Sequence, residues 1–305
     1  MFYPLKFYPV YKNMIWGGRN IATKFDRKIP HGNIGESWEI CCREDGMSVV
    51  SNGRLKEKTL EVLISEYKES LLGTLVYNQG SHHSFPLLIK IIDATDRLSV
   101  QVHPDDTYAA KHNDSGKTEL WYVLDAEPGA GLIYGLKEGL TKEAFVQALD
   151  EGDIKKTLNR IPITRGDTLY IPSGTVHAIL EGALIAEIQQ NSNVTYRLYD
   201  WDRLDKDGKP RELHVEDAIN VIDFDRPLNS PNDGTYFSVE ELEIDEKYSN
   251  STDGSRFYIY MVIEGSGTMK YEGGEETLVP GDTVLIPATM GEYSIIGDIR
   301  VLEIY

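Results

Sequence analysis

Three stretches of the chain carry side chains able to hold a metal ion or move a proton. In Ser99-Val100-Gln101-Val102-His103, an extended backbone sends Ser99, Gln101 and His103 to one face and the two valines to the other. Lys117, Glu119 and Trp121 share one face of a second strand in the same way. His177 follows the Pro172-Ser173-Gly174 turn, where a tight bend can aim its imidazole inward. Taken singly, the first stretch is equally the wet face of an antiparallel strand, and His177 is equally a hydrogen-bonded loop histidine. Taken together they offer two imidazoles and a carboxylate, a set that suits Zn²⁺ and leaves positions open for water or substrate. The amide oxygen of Gln101 is a less usual fourth donor. A carboxylate such as Glu119 directed into a barrel is costly unless a cation meets it.

Positioning these residues is work for short strands. The segments 86–93, 98–103, 119–124, 167–172, 183–190, 257–264 and 282–287 are rich in Val, Ile, Leu and Tyr, with Gly, Pro, Asp or Asn close by. Helical spacing of apolar residues predicts helices over 60–72 and 140–158, the second started by Thr141 and Glu143. The chain also repeats itself. Residues 166–179 (GDTLYIPSGTVHAI) resemble 281–295, and 120–131 resemble 256–267. Such a unit of antiparallel strands fits two small β-barrels, whose closure removes unpaired edges. In the second copy Ser255 falls at the place of Glu119 and Glu292 near that of His177, and no histidine follows His214. The first barrel is therefore expected to carry the metal and the second to be structural. The domains expected are 1–222 with the metal, 223–234 as a Pro/Asn/Asp-rich linker, and 235–305 as the barrel without metal.

The 31 basic and 49 acidic residues among 305 give a net charge of −18. That field repels nucleic acid and anionic membranes and argues against both as partners. It also repels phosphorylated metabolites, so any Lys or Arg beside the site is informative. No apolar run approaches the roughly 18 residues of a membrane helix. Residues 1–20 lack the features of a signal peptide, and the adjacent Cys41 and Cys42 offer no disulfide framework, so a cytoplasmic setting is expected. Trp16 with Gly17 and Gly18, and Trp38, read as packed structure. Asp105 and Asp106 read as turn residues, the acidic cluster 200–207 as a solvated loop, and His82 and His83 as exposed.

The runs LSVQVHPDD (98–106), GKTELWYVL (116–124), PSGTVHA (172–178) and QQNSNVTYRLYDWDR (189–203) resemble the type I mannose-6-phosphate isomerases in their short bacterial form. WGG at 16–18 and GESWEI at 35–40 fit the same family. The resemblance implies a mainly β, double cupin architecture, two jelly-roll-like β-barrels with a few inserted helices, and one zinc. It also implies that Gln101, His103, Glu119 and His177 are the ligands, that Lys117 and Arg197 are active-site residues, and that Lys90 and Ser99 sit at positions associated with the substrate phosphate. The implied activity interconverts mannose 6-phosphate and fructose 6-phosphate through an enediol. Many relatives have Asp where this chain has Asn193, so no acid–base role is expected there. The competing readings are an iron-dependent cupin oxygenase, whose sites lean on more histidines, and a non-catalytic sugar-binding cupin.

Overall fold

The computed structural model describes residues 2–79, 84–204, 207–226 and 234–305. His82, His83, Asp205 and residues 227–233 of the expected linker lie outside the described residues. The chain is mainly β and divides into two compact units. The first comprises Met1–Val10, Trp38–Ile89 and Asn232–Tyr305, and the second comprises Tyr11–Ser37 and Lys90–Pro231. Neither is the contiguous segment that the repeat alone suggests. The C-terminal strands share a sheet with Leu5–Tyr8 and Val49–Val50, far away in sequence.

The second unit is organised by two sheets. One has five strands in the order Leu158–Pro162, Gly131–Leu136, His177–Ile179, Val100–Val102 and Tyr196–Tyr199. The other has six, in the order Thr168–Ile171, Glu119–Ala126, Ala183–Gln190, Leu87–Ala94, Ile34–Ile40 and Val10–Gly18. Strand alternation does the sorting. Val100 and Val102 pack with Phe145, Ile154, Ala218 and Ile222 beneath the helices Lys142–Asp150 and Val215–Val221. Ser99, Gln101 and His103 are left for the opposite face. A second apolar cluster includes Trp121, Val123, Leu132, Ile171 and Ile185, contributed by both sheets.

The helices start where the sequence has caps. Thr59 accepts from Val62 N at 3.3 Å, Asp105 from Tyr108 N at 2.7 Å and Thr141 from Ala144 N at 3.2 Å. The helix expected over 60–72 breaks at Lys68, whose φ is +47°, into Leu60–Tyr67 and Glu69–Leu72. The one expected over 140–158 ends at Asp150, because Gly152 turns left-handed at φ +75° before a short 3₁₀ turn at Ile154–Lys156.

The repeat is real, but its strand register differs from the sequence match. In the second unit Trp121 stands opposite Leu169 and Glu187. In the first unit Tyr260 stands opposite Val284 and Glu303. Since Ile171 pairs with Glu119 and Ile286 with Tyr258, the counterpart of Glu119 is Tyr258 rather than Ser255. Aligning the copies on their glycine turns misplaced it, because the strand Tyr258–Tyr271 runs through that turn for 14 residues. Both units thus oppose a buried aromatic to a buried glutamate. Trp121 Nε1 donates to Glu187 Oε2 at 2.9 Å, and Tyr260 OH donates to Glu303 Oε1 at 2.5 Å. In the first unit two more phenols close the network: Tyr248 OH donates to Glu303 at 3.0 Å, and Tyr293 OH lies 2.8 Å from Tyr260 OH. Burial, then the neighbouring phenol and carboxylate, push the Tyr260 hydroxyl far above its usual range, so it stays protonated and donating.

Replacing Glu303 with Leu strands these buried hydroxyls at a cost of about 1–3 kcal/mol, and Glu303→Gln, which keeps an acceptor, loses less. Urea midpoints of both variants check this; a Leu variant as stable as the parent would remove the network from the account.

Candidate metal centre

His103, Glu119 and His177 come together in the second unit, each almost completely buried. One ligand atom from each lies within 4.8 Å of the others, the one such group found among the described residues. His103 and His177 belong to the five-stranded side and Glu119 to the six-stranded side. The Nε2 atoms of the two histidines are 3.1 Å apart, and Glu119 reaches them at 3.2 Å (His177) and 3.5 Å (His103).

The protonation pattern follows from the backbone. His103 Nδ1 is 2.9 Å from Val194 O and His177 Nδ1 is 2.8 Å from Thr175 O. A carbonyl only accepts, so in each neutral ring Nδ1 carries the hydrogen and Nε2 keeps its lone pair. Burial pulls His177 down to about 4; burial and the Lys117 charge hold His103 well below its usual value. Two lone pairs therefore face each other and Glu119. The loop that sets this up needs a glycine. Gly174, at φ +85°, donates its N–H to His103 O at 2.8 Å, and a Cβ there would lie 3.0 Å from Val221 O.

Glu119 is the least satisfied member. Neither of its oxygens has a hydrogen bond of good geometry, and burial pushes the carboxyl up to about 7 against the pull of Lys117. The Lys117 ammonium stands 3.2 Å from Glu119 Oε2 and 3.1 Å from His103 Nε2. A buried carboxylate with no well-formed hydrogen bond, facing two imidazole lone pairs, is the donor set of a divalent cation, and the residues fit one. Gln101 is the direct cross-strand neighbour of His177 and of Arg197. Ser99 is buried and accepts a hydrogen bond from Arg197 Nε at 3.3 Å. Asn193 is exposed.

Lys90 requires a correction. Its ammonium is buried 3.0 Å from Glu187 Oε1 and 3.7 Å from Glu36 Oε2. A phosphate brought there meets two carboxylates for one cation. Burial would lower Lys90, but Glu187 and Glu36 outweigh it and raise its pKa. Burial would likewise raise Glu187, yet Lys90, Lys117 and the Trp121 hydrogen bond hold it down to about 2. Glu187 is the residue that sequence reasoning missed. Its signal is a lone ionisable side chain inside the apolar strand Ala183–Gln190, every residue of which is buried.

Fold and site together define a cupin with a buried group competent to hold a metal. Residues 5–129 match the model of the phosphomannose isomerase type I catalytic domain, and residues 228–305 match that of the mannose-6-phosphate isomerase cupin domain. A putative mannose-6-phosphate isomerase of Bacillus subtilis is 40% identical over 96% of both chains. The mannose-6-phosphate isomerase of Streptococcus mutans is 37% identical, over 94% of this chain and 93% of its own. A crystal structure of the mannose 6-phosphate isomerase from Bacillus subtilis superposes with a TM-score of 0.90 at 38% identity, covering 99% of each chain. The chain belongs to the type I mannose-6-phosphate isomerase family.

The Lys90–Glu187 pair has a pH signature. Because Glu187 is held below its ordinary value of about 4.3, its stabilisation is complete above that pH and disappears as pH falls toward 2. Glu187→Gln is expected to cost about 3 kcal/mol at neutral pH, with the gap to the parent closing between about pH 4 and 2. Denaturation midpoints across that range check it; a constant gap would mean the pair is not titrating as described.

Proposed function

We propose that this protein is a zinc-dependent isomerase that interconverts mannose 6-phosphate and fructose 6-phosphate. The observation that carries the proposal is the convergence of His103 Nε2, His177 Nε2 and an unsatisfied Glu119 carboxylate beside Lys117. In this reading His103, His177 and Glu119 hold the ion, with Gln101 as a fourth donor from the strand position opposite His177. When bound, the ion supplies Lewis-acid charge next to the sugar oxygens, where negative charge develops as the carbonyl shifts between C1 and C2. The two carbonyls behind the imidazoles keep their Nε2 atoms unprotonated and directed inward. In this reading Lys117 Nζ, acting as a neutral amine, is the proton carrier: it takes the proton from one of the two carbons and returns it to the other while the hydroxyl proton passes between O2 and O1, so the reaction balances without any co-reactant. Glu119 and His103 anchor that amine within 3.2 Å of themselves, which fixes the path of the proton. Arg197, half-buried and bonded to Ser99, orients the rest of the substrate. Gln101 as a fourth donor would depart from the two-histidine, one-carboxylate set of iron oxygenases, and that supports zinc in this reading. Buried Cys41 and Cys42, not joined in a disulfide, suit the reducing cytoplasm proposed for it.

A coupled assay with mannose 6-phosphate tests the reading. Chelation is expected to abolish turnover and zinc to restore it, with one ion bound per chain. His103→Ala or His177→Ala should lose both the ion and activity by orders of magnitude. Full turnover in metal-free protein would end the proposal.

Lys117→Met is expected to lower kcat by about 10²–10⁴-fold while changing KM little, as for a group acting in proton transfer. In D₂O the parent should place deuterium on the carbon that receives the proton, unless the amine exchanges more slowly than it turns over. An unchanged kcat in the variant would take Lys117 out of the mechanism.

A further inference from the structure

Lys90 is committed to Glu187 and Glu36, so a phosphorylated substrate must find its counter-charge elsewhere. In the second unit a concentration of guanidinium groups surrounds the buried carboxylate of Asp200. Arg211 makes a two-pronged contact with it, Nε to Oδ2 at 2.7 Å and Nη2 to Oδ1 at 2.6 Å. Arg203 Nη2 reaches the same Oδ1 at 2.9 Å. The neighbouring Arg197 donates from Nε to Ser99 Oγ at 3.3 Å and from Nη1 to Glu212 O at 2.7 Å, which draws residues 211 and 212 alongside it. We propose that Arg211, oriented by Asp200 and set beside Arg197 and Ser99, binds the phosphate group of the phosphorylated sugar. The inference rests on the isomerase reading for the identity of the ligand.

Donor arithmetic supports it. Both contacts of Arg211 with Asp200 use Nε and Nη2, and the structure gives Nη1 no partner among the described residues. Arg197 is likewise left with Nη2. Ser99 Oγ accepts from Arg197, so its own hydroxyl hydrogen is left to donate. Two guanidinium groups with N–H donors to spare and one hydroxyl match the acceptor oxygens of a phosphate monoester. Arg197, Arg203 and Arg211 gather at Asp200, a local concentration of cations in a chain of net charge −18, with exposed Asp96 3.4 Å from Arg203 and Glu212 beside Arg197. The Arg211 charge is near enough to join burial in lowering the pKa of Arg197.

Position supports it as well. Arg197 pairs with Gln101 across the strands, and Gln101 is two residues, about 7 Å, along its strand from His103. A sugar with its carbonyl end at His103 and Lys117 extends its far end along that strand toward Ser99. The backbone invests in holding Asp200 where it is. Trp201 and Asp202, at φ +58° and +59°, are consecutive left-handed residues, neither of them glycine, a conformation that surroundings must enforce. Trp201 Nε1 donates to Leu98 O at 2.6 Å, Tyr199 OH to Asp202 at 2.6 Å and Arg203 N to Asp200 O at 3.1 Å.

The test is Arg211→Gln, with folding checked by thermal melts. KM for mannose 6-phosphate and the inhibition constant of inorganic phosphate are expected to rise together by about tenfold or more, with kcat within about threefold. Arg211→Lys, which keeps the charge and loses the fork, should fall between and decides the matter if the Gln variant does not fold. Asp200→Asn is expected to move the same two constants in the same direction, and Asp200→Glu to recover part of the loss, as fits a positioning residue. A folded Arg211→Gln protein with an unchanged phosphate inhibition constant overturns the proposal, as does a fall in kcat with both constants intact. Calorimetric titration of inorganic phosphate into parent and variant needs no turnover. Phosphate binding lost in the variant when the parent lacks isomerase activity would uphold this subsite and sink only the isomerase reading.

Discussion

The crowding of His103 Nε2, His177 Nε2 and Glu119 in a space where none of them meets solvent imposes a requirement on everything around it. Lone pairs and a carboxylate at such distances repel unless positive charge stands among them. Lys117 provides one charge from the segment just before the strand that carries Glu119, and the ligand set admits a second in the form of a divalent ion. Behind this group, Lys90 and Glu187 neutralise one another across the same interior, and Trp121 fixes the second oxygen of Glu187. The interior is thus a chain of paired charges rather than an apolar core with a few polar exceptions. The apolar work is done by the cluster around Val123 and Ile185 and by the helix-covered face of Val100 and Val102.

Comparison of the two repeats shows one ladder position filled in two ways. Glu187 facing Trp121 and Glu303 facing Tyr260 occupy equivalent ladder positions. In one unit the carboxylate is answered by a lysine and stands beside ionisable neighbours. In the other it is answered by two phenols, Tyr248 and Tyr260, with the hydroxyl of Tyr293 against that of Tyr260. The same backbone therefore supports either an interior of paired charges or a closed network of phenols around one carboxylate, and a few side chains decide which.

Much of this was legible in the sequence. Alternation in 98–103 and 119–124 placed Ser99, Gln101, His103, Lys117, Glu119 and Trp121 on inward faces, and the strands from 86 to 190 fall within a residue or two of their expected positions. What was not legible depends on register and on distant partners. The place of Glu119 in the second copy was misassigned because strand pairing, not turn residues, sets the equivalence. Lys90 read as a phosphate residue because nothing in its own strand reveals Glu187, 97 positions away. The arginines around Asp200 looked like a solvated acidic loop, since composition does not show that one aspartate is buried among them. The division into two units was hidden for a similar reason: a linear reading does not disclose that residues 5–8 complete a sheet with 283–286.

Both imidazoles are steered by main-chain carbonyls, those of Val194 and Thr175, rather than by carboxylate side chains. Every amino acid brings a carbonyl, so substitution at either position leaves the acceptor in place. The tautomer that exposes Nε2 is therefore insulated from drift in the residues that enforce it. A change of side chain at position 175 or 194 leaves the acceptor of the ligand imidazole in place, provided the loop keeps its path. The vulnerable point moves instead to Gly174, where the path itself depends on the absence of a side chain.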